Sequence, residues 1–158
     1  MMIETSSLGF RHRVLVLSLP LLLFGSMCLC AAGGSELKFE AQLIWATNDK
    51  KSPDPKHKPA EPEVKKKLGE LPLKWDNYFE VKRKQFTVSK GSGTKAPMSE
   101  KCALEVKHVE GDKVEVSLLG KGEAVLKRTQ ALPKGEILVL GGNAPNETAW
   151  LVTLKRID

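Results

Sequence analysis

The chain has 158 residues, three cysteines and a net charge of +6. Two of those cysteines, Cys28 and Cys30, fall in an N-terminal apolar segment, which excludes a disulfide framework and leaves stability to an ordinary hydrophobic core. The positive excess favours contact with anionic surfaces and is silent on the fold.

Residues 1–32 have the layout of an export signal. Arg11 and Arg13 form a basic n-region, residues 14–24 are an uncharged apolar run, and small residues follow at Cys30-Ala31-Ala32. Stretched to residue 32, the run is just long enough for a membrane anchor. Pro20 and the small residues at its end favour cleavage near Ala32 instead, so membrane contact is expected only if the segment stays uncleaved. Cys28 follows Met27 and Cys30 follows Leu29, where a lipobox needs a small residue, so lipidation is not expected. Cleavage leaves residues 33–158 as a single β domain with Cys102 as its sole thiol. An exported domain without disulfides points to a periplasmic or extracellular place in a bacterial envelope.

Residues 37–47 alternate, with Leu37, Phe39, Ala41, Leu43 and Trp45 on one face and Lys38, Glu40 and Gln42 on the other. That pattern predicts a half-buried strand. Residues 48–62 are rich in proline and lysine, hold hardly an apolar side chain, and read as a mobile loop. Pro62 suits the first position of a short helix whose stripe is Val64, Leu68 and Leu71. Everything beyond reads as strand. Phe79 and Val81 are odd-numbered apolar positions, whereas Phe86 and Val88 are even, so a bulge or bend is required near residues 82–85.

Gly91-Ser92-Gly93 reads as a flexible turn. Cys102, Leu104, Val106 and His108 alternate, and Glu110–Lys113 turns them into Val114, Val116 and Leu118, the strongest hairpin signal in the chain. Gly120-Lys121-Gly122 leads into a strand over 123–132, and Pro133–Glu136 has the residues of a tight turn. Residues 137–140 are apolar at every position, as in a strand covered on both sides. Gly141-Gly142 then poses a choice between a phosphate cradle and a turn. The following segment, 149–157, has a period of two, which predicts a hairpin whose glycines let the chain leave the core. The whole predicts an antiparallel β-sandwich or open barrel of about seven or eight strands with one short helix.

Several chemistries lack their residues. The glycine pair has neither a GKS/GKT ending nor GxGxxG spacing, and a strand follows where a helix N-terminus would be needed. Asn146-Glu147-Thr148 matches the N-glycosylation acceptor pattern, which matters only in a eukaryotic secretory pathway. His57, His108 and Cys102 have no zinc-ligand spacing. Cys102 and His108 share a strand face but stand about 20 Å apart along it, too far for a catalytic dyad. Cys102 is expected to be a buried small apolar residue, and His108 to be partly exposed beside its turn. The acids Glu105, Glu115, Glu123 and Glu136 fall at polar-face or turn positions, and there is no GxSxG or HExxH signature. A non-enzymatic protein without cofactor, metal or nucleic-acid partner is therefore expected, a hydrolase with a spatially assembled carboxylate pair being the third reading.

The basic clusters remain: Lys50 and Lys51, Lys56 and Lys58, Lys65, Lys66 and Lys67, and Lys82, Arg83 and Lys84. They lie near Trp75, Tyr78 and Phe79 and offer contacts to an anionic polymer or membrane surface. Their plain role is to solvate a loop and an edge strand. Asn143, Asn146 and Glu147 form a possible interaction loop. The leading reading is a domain that binds another envelope component, a protein partner included, through loops and exposed strand edges.

Residues 122–157 combine a glycine turn at Lys134-Gly135, an apolar strand at 137–140 and the pair Gly141-Gly142. In these features the segment resembles the β-segment of secretins, the outer-membrane pores of bacterial secretion and pilus systems. The resemblance covers under a quarter of the chain and implies at most an accessory of envelope assembly. As a whole the chain is similar to small exported bacterial β-proteins.

Overall fold

The computed structural model describes residues 36–143 and 147–158. The export-signal reading falls on residues outside this set. Chain order runs β1 (Leu37–Thr47), β2 (Lys58–Pro59), α1 (Pro62–Gly69), β3 (Asn77–Val88) and β4 (Gly93–Pro97). It continues with β5 (Cys102–Glu110), β6 (Lys113–Gly120), β7 (Glu123–Ala131), β8 (Ile137–Asn143) and β9 (Ala149–Arg156). One sheet has five strands in the order β2-β3-β1-β9-β8, and the other has four in the order β4-β5-β6-β7. All the strand pairs are antiparallel. The fold is a β-sandwich with no closed barrel.

Between the sheets lies the main core. Leu37, Phe39, Ala41 and Leu43 of β1 meet Leu104 and Val106 of β5 and Val114 and Val116 of β6, with Leu138, Leu140, Val152 and Leu154 completing it. Fully burying each such aliphatic or aromatic side chain contributes about 1.5–3 kcal/mol. The five-stranded sheet is also covered on its outer face. There Ile44, Ala46, Ile137, Ala149 and Leu151 pack with Val64 and Leu68 of α1 and with Trp75 and Tyr78. β1 is therefore buried on both faces rather than half-buried: Glu40 and Gln42, on the face expected to be open, are only 9% and 3% exposed. A second layer laid down by a distant segment is invisible to the local alternation of β1. The strand at 137–140 is covered on both sides as its composition predicts, although it lies at the sheet edge.

The helix begins with Pro62 in its first turn and buries Val64 and Leu68. The phase change in β3 is also present, one residue before the predicted window. Leu43 pairs with Lys82 and Ile44 with Glu80, which leaves Val81 as the extra residue of a bulge. β2 and β4 were not anticipated. β2 is a two-residue strand inside the proline-rich segment, and β4 begins at a glycine of the supposed turn. Lys121 and Gly122 both have positive φ, 53° and 91°, as a two-residue hairpin turn of mirror-image type requires.

β8 and β9 form the predicted hairpin, but its glycines do other work than turning. Gly141 pairs with Leu151 and Gly142 with Trp150, both inside the ladder. A Cβ on Gly141 would stand 2.7 Å from Leu151 Cδ2 and 2.7 Å from the Trp150 carbonyl oxygen, whereas one on Gly142 would meet nothing within 4 Å. Gly141 thus permits a close approach of β8 to β9. Gly141→Val is expected to destabilise the fold by about 1–3 kcal/mol through overpacking, and Gly142→Ala to stay within about 0.5 kcal/mol of the parent. Urea unfolding of the two variants checks this, and equal midpoints would contradict it.

Candidate functional site at the tryptophan end

Trp45 and Trp150 are register partners on neighbouring strands, so their side chains leave the sheet on the same side. Their ring centroids are 4.5 Å apart with planes tilted by 59°. Trp150 nevertheless remains 42% exposed. On its other side its β8 partner is Gly142, which has no side chain to lay against the indole. The indole N–H of Trp45 is buried without a hydrogen-bond partner among the described residues.

A cleft borders each tryptophan. One of about 580 Å³ is lined by Trp45, Asp49, Lys50, Lys51, Ser52, Pro53 and Thr148. The other, of about 650 Å³, has Leu43, Val81, Met98, Cys102 and Trp150 as its apolar lining and Lys82, Ser99, Glu100 and Lys101 at its polar margin. A third hollow of about 360 Å³ brings Gly141 and Gly142 beside Leu73, Lys74 and Trp75. Among the described residues no helix N-terminus lines this hollow as a phosphate cradle would need, and β9 is the element after the glycines.

The basic residues singled out in the sequence divide between these places and others. Lys50 and Lys51 reach the first cleft and Lys82 the second. Arg83 points to the opposite sheet face, where it bonds Glu80 and Glu61 and stands 3.4 Å from Glu40. Lys84 pairs with Ala41 and is half-buried on the sandwich side. Lys56 is exposed, and Lys58 belongs to β2 opposite Glu80. Lys65 and Lys66 are exposed on α1, while Lys67 stands 3.6 Å from Glu70. Adjacent cations in sequence therefore do not form one patch. Trp150, Met98 and Lys101 were not anticipated as site residues; the only signal was a tryptophan opposite a glycine across a hairpin.

In the proposed interaction loop, Asn143 ends β8 opposite Ala149, and Glu147 has φ 56°. The Glu147 carbonyl accepts the Trp75 indole N–H at 2.6 Å, which ties the loop to the helix side. Asn146 lies outside the described residues.

Two further expectations are corrected. Cys102 is half-buried at the cleft wall rather than fully buried, and burial still pushes its thiol up from the ordinary value. His108 is not partly exposed; it is 1% exposed, with Nε2 2.9 Å from the Gly111 carbonyl oxygen and Nδ1 buried without a partner among the described residues. His108 continues the inward face of Leu104 and Val106, and the register slips only beyond it, where Val109 is the extra residue and lies 42% exposed. Among the described residues no three His, Cys, Asp or Glu side chains gather to hold a metal, and no helix is long and apolar enough to cross a membrane. Glu115 of the carboxylate candidates pairs with Lys127 at 3.0 Å.

The chain matches no protein-family model, no curated protein and no solved structure.

Behind the clefts, the outer face of the sheet holds a polar network. Burial alone would raise the Glu40 carboxyl, but the amide donors of Gln85 and Gln42 and the Arg83 charge outweigh it and hold the carboxyl below its ordinary value. A depressed carboxyl contributes stability in full above its ordinary value of 4.5 and loses it as pH falls through the depressed one. Glu40→Gln is expected to cost about 1–3 kcal/mol at neutral pH by leaving buried donors mismatched. It should also flatten the loss of stability below pH 4.5. Chemical denaturation across pH measures both, and an unchanged acid slope would contradict the assignment.

Proposed function

We propose that this chain is an exported, non-enzymatic binding domain of a bacterial envelope that holds another envelope component at the tryptophan end of the sandwich. The observation that carries the reading is Trp150, a large aromatic left open beside a second tryptophan, with lysine-edged clefts on both sides. Aromatic side chains give large contact area at low entropic cost and dominate the energetics of interfaces. Exposed tryptophan over a concave surface supports recognition more specifically than lysine clusters do.

The rival reading is an electrostatic binder of anionic polymer or membrane surface through those clusters. Against it stand the dispersal of the basic residues over different faces and the engagement of Arg83 with carboxylates. A further surface is β7, almost entirely exposed along an open sheet edge, with Val125 64% exposed. Such edges accept partner strands.

Photo-crosslinking residues placed singly at 150, 66 and 125 in the exporting cell separate these. A discrete product from 150 alone, still formed when envelopes of those cells are irradiated in about 0.5–1 M salt, is the expected result at a Debye length of about 3–5 Å. Capture from 66 that vanishes with salt would favour the electrostatic reading instead, and capture from 125 alone would move the binding surface to the β7 edge.

A further inference from the structure

The larger of the two clefts has a composition that selects its ligand. Its floor is Leu43 and Met98, 3% and 1% exposed, and its walls include Val81, Cys102 and Trp150. Its charged groups are Lys82, Lys101 and Glu100, none of which forms an ion pair among the described residues. The bulge in β3 produces this combination. Lys82 stands opposite Leu43 and Val81 is the unpaired extra residue beside it, so an apolar side chain and an ammonium reach the same cleft from consecutive positions. Val81 packs against the inter-sheet core while Lys82 stays at the exposed margin.

An apolar floor takes an apolar body, since removing hydrocarbon from water is favourable in proportion to the area buried. Two ammoniums against one carboxylate leave a single positive charge at the mouth. That excess is matched by a singly charged head and leaves a doubly charged phosphate monoester unbalanced. The volume of about 650 Å³ lies within the range of small-molecule sites. Building on the assignment of binding to the tryptophan end, we propose that this cleft takes a single-chain amphiphile with a carboxylate head, a fatty acid, with its chain over Met98 and Leu43 and its carboxylate between Lys82 and Lys101.

The test is titration of the purified full chain with octanoate, decanoate and dodecanoate below their micellar concentrations, followed by tryptophan fluorescence. Saturable binding is expected, tightening about fourfold with each added methylene. Dodecyltrimethylammonium, with the same chain and the opposite charge, should bind at least about tenfold more weakly. The double variant Lys82→Ala with Lys101→Ala should lose that head-group preference and keep the dependence on chain length. Alkylation of the Cys102 thiol, measured on the unaltered protein, should slow when dodecanoate saturates the cleft. Equal binding of the cationic and anionic amphiphiles, no dependence on chain length, or unslowed alkylation at saturation would each overturn the proposal. The outcome is separable from that of the crosslinking experiment. A product from position 150 without saturable dodecanoate binding sinks the fatty acid alone. Dodecanoate binding without such a product leaves the cleft assignment standing and sinks the envelope-component reading.

Discussion

The bulge at Val81 determines what every side chain of β3 can touch. β1 is buried on both faces, and its neighbour presents apolar groups to the sandwich core at both ends, with Lys82 and Lys84 between them. Phe79 lies on the sandwich side opposite Trp45, and Phe86 and Val88 lie on that side opposite Phe39 and Leu37. An uninterrupted strand cannot place odd and even positions on one side. One inserted residue reconciles them. Its consequence is chemical as well as geometric: Lys82 turns to the cleft, while Arg83 turns to the outer face and meets Glu40, Glu61 and Glu80.

Much of this was legible in the sequence where a local period reports a local fact. The alternation of β5 and β6, the turns at Glu110–Lys113 and Lys121-Gly122, and the parity change in β3 each announce a strand, hairpin or bulge without reference to the rest of the chain. The unbroken apolar run of β8 likewise announced cover on both faces. What failed to show depends on a distant neighbour. β2 and β4 are short, contain Pro59 and Pro97, and are held by backbone pairing that leaves no hydrophobic period. The second face of β1 is buried by a helix some twenty positions away, and His108, on the same inward face as Leu104 and Val106, stays buried up to the end of that regular register.

The site was less legible than the fold. Charge clusters are counted along the chain, but successive residues on a strand point to opposite faces, so Lys82 and Arg83 have unrelated surroundings. Trp150 became the centre of the candidate site for a reason no single segment contains. Gly142 stands opposite it across the hairpin without a side chain, and its companion Trp45 arrives through the register of β1. The glycine pair therefore serves two purposes, close packing at Gly141 and an uncovered indole beside Gly142.

The directing role of the Val81 bulge is tested most directly by cross-strand proton contacts in nuclear magnetic resonance spectra of β1 and β3. Contacts are expected between Ala41 and Lys84 and between Leu43 and Lys82, and, beyond the slip, between Ile44 and Glu80 and between Trp45 and Phe79. A single uninterrupted register, with Trp45 opposite Glu80, would contradict the bulge and turn Val81 and Phe79 away from the sandwich core.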